Sequence, residues 1–238
     1  MPRSTPAKTV KKPRAKFSWP EEKKRLQEAG YVLVAGLDEA GCGALAGPVV
    51  AAAVLLPLEA RVRGLNDSKL LSAEQREVVY ADLLRRQVPC AVAMAYAQEI
   101  DRYNIFHAAR LAMQRAVNCL TPRPDYLLMD GHLPPNFGLP TRAIVHGDRL
   151  VPVISAASVA AKVYRDRLMC RLALLYPHYH FERNKGYGTP DHYAALRNYG
   201  PCPIHRQHYG PVVRNGQLPL RAEEREAAEA FLEEEESA

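Results

Sequence analysis

The stretch YVLVAGLDEAGCGALAGPVVAAAVLL, residues 31–56, carries the reading of the fold. Two short apolar runs, 31–37 and 48–56, flank a loop rich in glycine. Runs this short, bounded by glycine and proline, read as strands, and the single loop between them predicts a paired hairpin inside a covered sheet. The first run leads straight into Asp38 and Glu39. Two carboxylates therefore stand where an apolar strand meets a loop that lets another molecule come close.

Outward from this hairpin the pattern alternates. Ser72 followed by Gln75 has the spacing of a capping box and opens a helix to about Gln87. CAVAMAYA (90–97) reads as a strand, and Asn104 caps a helix with Ile105, Ala108, Leu111, Ala112 and Ala116 on its apolar side. YLLM (126–129) and RAIV (142–145) are again short apolar strands. Ser155 begins a long helix to about Tyr176, with Val159, Val163, Leu172 and Ala173 along its buried stripe. Beyond Pro177 the chain is rich in Gly, Pro, His and Tyr, and reads as a helical or irregular appendage. There are no internal repeats. The expected class is α/β, organised as a basic disordered tail (1–25), one domain (26–176), a smaller C-terminal extension (177–220) and an acidic tail (221–238).

Composition narrows the function classes. Of 238 residues, 47% are apolar and 24% charged, as in ordinary soluble domains. The longest apolar run, 49–56, falls far short of the roughly 20 residues needed to cross a bilayer. Five cysteines without a CxxC pair fit neither a disulfide framework nor a zinc site, so a reduced, cytoplasmic protein is expected. Residues 1–20 hold six Lys/Arg and no acid, whereas residues 221–238 hold eight Glu against two Arg. The body between them shares the chain's net charge of +6, which suits a polyanionic partner.

The acids at strand ends are the informative feature. Strand 126–129 ends in Asp130-Gly131, and strand 142–145 leads through His146 and Gly147 to Asp148. With Asp38 and Glu39, three strands thus deliver four carboxylates, each beside a glycine. If these strands are neighbours in one sheet, the four groups converge, and such a cluster is costly unless cations neutralise it. A single acid at a strand end is more often solvated or a cap. Three such sites together favour a metal centre, and oxygen-only ligation selects Mg²⁺ or Mn²⁺ rather than zinc.

At this point a resemblance becomes specific. GLDEAGCGALAGP (36–48) resembles the N-terminal signature of ribonuclease HII, the type 2 ribonuclease H. Asn66-Asp67-Ser68-Lys69 with Arg76-Glu77, then Asp130-Gly131, Gly147-Asp148, ISAASVAAKVYRD (154–166), KGYGT (185–189), His192 and His205-Arg206 follow in the family's order. The match covers roughly 31–213, leaving the tails outside.

The resemblance implies an RNase H-like mixed sheet flanked by helices, with a C-terminal helical extension that completes the substrate groove. It implies endonucleolytic cleavage of RNA in RNA–DNA hybrids and at ribonucleotides embedded in duplex DNA, with two Mg²⁺ or Mn²⁺ ions and 5′-phosphate and 3′-hydroxyl products. Asp38, Glu39, Asp130 and Asp148 match the family's metal-binding tetrad. Gly41, Cys42 and Gly43 sit where the family reads the 2′-hydroxyl through backbone groups, and Tyr187 matches a tyrosine that stacks on the neighbouring sugar. Lys69, Ser158, Lys162 and Lys185 are expected to face the phosphate backbone, whereas Arg165 and Asp166 are expected to make structural bonds. His205 and Arg206 are expected to brace the extension. The chain departs from the family at Cys42, where arginine is usual, and at His146, where lysine is common. These changes bear on affinity more than on hydrolysis. A monomer with no membrane partner is expected. The competing readings are a nucleic-acid-binding relative with weak or altered nuclease activity, and a DNA nuclease of the same superfamily.

Overall fold

The computed structural model describes residues 17–60 and 71–215. The readings for the basic arm up to residue 16, for Lys69 and its segment, and for the acidic end lie outside these residues. In chain order the elements are α1 (Trp19–Glu28), β1 (Val34–Ala40), β2 (Val49–Leu55), α2 (Ala73–Arg85), β3 (Cys90–Ala95), α3 (Ala97–Cys119), β4 (Tyr126–Asp130), β5 (Thr141–Ile144), α4 (Gly147–Leu150), α5 (Pro152–Leu175), α6 (Phe181–Asn184), α7 (Pro190–Tyr199) and α8 (Gly210–Asn215), with a 3₁₀ turn at Pro177–Tyr179.

The five strands form one sheet in the order β3-β2-β1-β4-β5. β1, β2 and β3 pair antiparallel, whereas β1–β4 and β4–β5 pair parallel, giving the mixed sheet expected. Side chains alternate across it, as the two-residue period of a strand demands. Val34, Ala52 and Val54 pack with Ile154 and Val159 of α5 and Leu83 of α2, while Ala35, Leu37, Ala51 and Ala53 pack with Ala108, Ala112 and Ala116 of α3. Both faces are thus covered, which explains why β2 is apolar at every position.

Close approach of α5 to the sheet depends on Gly36. A Cβ there would lie 2.2 Å from the Val153 carbonyl oxygen, so any larger residue pushes the helix off β1. Seated this way, α5 delivers Ser158 and Lys162 to the carboxyl end of β1.

Several boundaries differ from the sequence reading, each for a local reason. β1 starts at Val34 and continues through Asp38 and Glu39, because these residues stay in the ladder opposite Ala52 and Ala51. The basic tail does not extend to residue 25: α1 begins at Trp19, with Pro20 in its first turn and Glu21 and Glu22 suited to its positive end. Buried Glu22, paired with Arg25 and Arg142, ties this charged helix to the body. Asn104 does cap a helical segment, accepting from the N–H groups of Phe106 and His107, but a further turn from Ala97 precedes it across a kink. α5 starts at Pro152 rather than Ser155, since proline suits a first helical turn.

The appendage after α5 is not peripheral. Phe181, Leu196, Cys202 and Ile204 bury themselves with Leu45 and Ala46 of the β1–β2 loop and with Leu168 and Met169 of α5.

Candidate active site

The ends of β1 and β4 meet beneath the start of α5. Leu37 pairs with Met129 in parallel register, so the next residues along each strand, Asp38 and Asp130, lie at neighbouring positions. A cavity of about 310 Å³ opens there, walled by Asp38, Glu39, Ala40, Gly41, Arg76, Asp130, Ser158, Lys162 and Tyr187. Acids from two strands, a hydroxyl and two cations thus share one space.

Asp38 is buried, accepts the Glu39 N–H at 2.8 Å, and is hydrogen-bonded by the Ser158 hydroxyl. Its carboxyl is held well above the usual carboxylate range. Burial is the leading cause, the Glu39 charge adds to it and Asp130 contributes, while the two hydrogen bonds oppose the shift. Asp130 accepts the Gly147 N–H at 2.7 Å, which ties β4 to the turn carrying Asp148. Asp148 is fully buried in the first turn of α4 and is not part of the cavity wall. The expected convergence of four carboxylates is therefore three at the cavity and one buried, next in sequence to the Gly147 that bonds Asp130.

These residues fit a hard divalent cation. Every donor from the three acids and Ser158 is oxygen, and a bound cation would relieve the repulsion that raises the Asp38 proton affinity. Among the described residues, no three His, Cys, Asp or Glu side chains form a ready-made metal cage. An open arrangement of this kind suits Mg²⁺, which keeps several waters and takes oxygens from a substrate phosphate.

The loop after β1 forms the opposite wall. Gly41 has φ +98°, and a Cβ on it would sit 2.1 Å from Arg165 Nε, so glycine is required twice over. Two buried arginines hold this loop from within. Arg206 donates to the carbonyls of Gly41 (2.6 Å), Cys42 (2.8 Å) and Gly47 (3.1 Å), and Arg165 to those of Pro48 (3.0 Å), Ala46 (3.1 Å) and Lys185 (2.9 Å). Arg206 thus braces the β1–β2 loop itself. The Cys42 side chain turns onto Glu39, with Sγ 3.6 Å from Oε1, and its thiol is pushed up to about 12 by burial and then by the Glu39 charge. It stays a neutral thiol packed inward, and of residues 41–43 Gly41 lines the cavity while Cys42 and Gly43 are not part of its wall. Gly43 has open space around its Cα.

Of the expected contacts, Ser158, Lys162 and Tyr187 reach the cavity. Lys162 Nζ pairs with Asp166 at 2.6 Å and lies 5.4 Å from the centre of the Tyr187 ring. Asp166 is therefore an ion-pair partner. Lys185 is not brought to the cavity wall: its backbone is left-handed (φ 52°), and its ammonium lies 2.9 Å from Cys170 Sγ and against the Glu182 carbonyl. Arg76 was given no role from sequence, yet it lines the cavity, anchored to the Leu71 carbonyl at 2.7 Å.

Comparison with known proteins places these observations. The family model described as ribonuclease HII matches residues 35–212. A ribonuclease HII of Coxiella burnetii is 51% identical over 181 residues, covering 76% of this chain and 90% of that protein. One from Polaromonas sp. strain JS666 is 49% identical over 181 residues, covering 76% and 91%. The crystal structure of the ribonuclease H2 from Pyrococcus horikoshii OT3 superposes with a TM-score of 0.66 at 27% identity, covering 77% of this chain and 96% of that one.

Proposed function

The chain belongs to the ribonuclease HII family, and from that premise we propose that it hydrolyses RNA in RNA–DNA hybrids and cuts duplex DNA at embedded ribonucleotides. The observation that carries this reading is the single cavity where Asp38, Glu39 and Asp130 face Tyr187 and Gly41, the first residue of the glycine loop. Acids on one side and a ribose-reading wall on the other are what strand scission at a ribonucleotide needs.

Asp38, Glu39 and Asp130, together with Asp148, would hold two Mg²⁺ or Mn²⁺ ions. When bound there, such ions would supply an activated water and positive charge for the departing 3′ oxygen. The Ser158 hydroxyl orients Asp38 toward the cavity. Lys162 and Arg76 bring cationic donors to non-bridging phosphate oxygens, which place the strand without reading its sequence. The main chain of residues 41–43, drawn back by Arg206, faces the 2′-hydroxyl, and Tyr187 supports the adjacent sugar by stacking. Products carry 5′-phosphate and 3′-hydroxyl ends. The protein acts as a monomer in the cytoplasm, and no helix among the described residues is long and apolar enough to cross a membrane.

The test compares cleavage of an RNA–DNA hybrid, an RNA–RNA duplex and a DNA–DNA duplex with added Mg²⁺ or Mn²⁺. Cleavage of the hybrid alone, with 5′-phosphate ends, is expected. Equal cutting of the DNA duplex would replace this reading with a DNA nuclease.

A further inference from the structure

Beside the cavity lie two buried imidazoles that the proposed chemistry does not use. His192 in α7 and His205 have no exposed surface, and their Nε2 atoms are 2.9 Å apart. A contact this short between ring nitrogens needs one donor and one acceptor. The far end sets the direction. The Cys202 N–H lies 2.9 Å from His205 Nδ1, nearer than Cys202 Sγ at 3.1 Å and the Cys202 carbonyl at 3.3 Å, and an amide N–H can only donate, so His205 carries its proton on Nε2. That proton goes to His192 Nε2. The His192 proton then sits on Nδ1, where it meets the Tyr187 carbonyl at 3.0 Å. Three hydrogen bonds thus run from Cys202 through both rings to Tyr187, and the carbonyl of Tyr187, which can only accept, gives them the same polarity.

The next residue extends the connection. Arg206 donates to the Gly41 and Cys42 carbonyls at 2.6 and 2.8 Å. Two consecutive residues therefore reach both walls of the cavity: Tyr187 through His192, and the glycine loop through the guanidinium. Tyr179 and Phe181 pack against the His205 ring at 4.8 and 5.7 Å between centroids, which fixes its orientation.

We propose that His192 and His205 are positioning residues whose fixed hydrogen-bond polarity sets Tyr187 against the Gly41–Gly43 loop and thereby tunes the grip on a ribonucleotide. This role rests on the reading of the cavity as a ribonuclease site. Burial keeps the rings neutral, as the polarity requires: His205 is pushed down to about 3 by burial with the His192 charge adding, and His192 is lowered by burial.

Two measurements test it. Nitrogen-15 NMR of the full chain reports each tautomer, and the expected result is an Nε2–H form for His205 and an Nδ1–H form for His192. The same tautomer on both rings overturns the relay. In kinetics on duplex DNA carrying one ribonucleotide, His192→Leu is expected to raise KM about tenfold with kcat nearly unchanged, the scale of one lost hydrogen bond. His192→Asn places an amide nitrogen near the Nδ1 position and is expected to restore most of the KM. An unchanged KM in folded His192→Leu overturns the role, as does a failure of Asn to rescue. If His192→Leu does not fold, the KM of His192→Asn and the tautomers decide. A wild-type chain that does not cleave overturns the ribonuclease reading and this role with it, whereas cleavage with the wrong tautomers overturns the role alone.

Discussion

The backbone N–H of Gly147 donates to Asp130 Oδ1 across 2.7 Å, joining the end of β4 to the first turn of α4, where Asp148 is buried. One carboxylate oxygen of Asp130 thus supports the frame, while the proposed function assigns the carboxylate's charge to a cation.

That division makes Asp130→Asn informative. The amide oxygen can still accept from Gly147, so folding and substrate affinity should survive. Loss of the charge removes several kcal/mol of cation-derived stabilisation, which should lower kcat by roughly two decades or more. Single-turnover cleavage and anisotropy binding measure the two effects separately. Near-normal cleavage at saturating Mg²⁺ would remove Asp130 from the site.

The raised proton affinity of Asp38 predicts a pH-dependent response to metal. Its folded-state value lies above the unfolded one, so its contribution favours the fold at low pH and is lost as pH rises through the folded value. A cation competes with that proton and replaces its effect. The rise in Tm on adding Mg²⁺ or Mn²⁺ should be larger at pH 8 than at pH 6. Asp38→Asn should raise the metal-free Tm and shrink the metal-induced shift. A metal shift that ignores both pH and this substitution would refute the assignment.

His205 titrates in the opposite sense. Its folded value, about 3, lies below the ordinary 6.5, so the unfolded chain binds the proton more tightly. Stability from this group is complete above pH 6.5 and falls by up to about 1.4 kcal/mol per pH unit below it, levelling off near the folded value. Denaturant midpoints from pH 7 to pH 4.5 should show a smaller loss in His205→Leu than in wild type. Parallel losses in the two proteins would mean that His205 is not buried as a neutral ring.

Two glycines separate folding from recognition. Gly36→Ala forces a methyl to 2.2 Å from the Val153 carbonyl and should destabilise by about 3 kcal/mol or more, seen as a sharply lower Tm. Around Gly43 the space is open, so Gly43→Ala should keep its Tm. The added methyl would instead stand where the loop meets the ribose, raising KM on ribonucleotide-containing duplex. Equal KM values for Gly43→Ala and wild type would place the ribose elsewhere.

Residues 31–56 made the β1–β2 hairpin and the acids at its end legible, and the site itself was legible only once the acids ending strands 126–129 and 142–145 were read with them. The exact ends were less visible. Asp38 and Glu39 look like loop residues, yet the ladder with Ala52 and Ala51 keeps them in β1. α1 was hidden because its stretch WPEEKKRLQE is mostly charged, and its attachment depends on a pairing between Glu22 and the distant Arg142. Lys185 looked like a phosphate contact by its motif, but a left-handed backbone turns it to Cys170. Arg76 and the His192–His205 pair become meaningful only after α2, α5 and α7 have packed, since no local pattern announces a contact between separate elements.

The most direct test of the account uses duplex DNA in which one nucleotide is ribo, 2′-deoxy or 2′-O-methyl, incubated with Mg²⁺, with Mn²⁺ or with a chelator. Cleavage should occur at the ribonucleotide alone, require the cation, and leave 5′-phosphate and 3′-hydroxyl ends. Tight binding to the ribonucleotide duplex without cleavage under either metal would contradict the account and identify a binding protein on a nuclease fold.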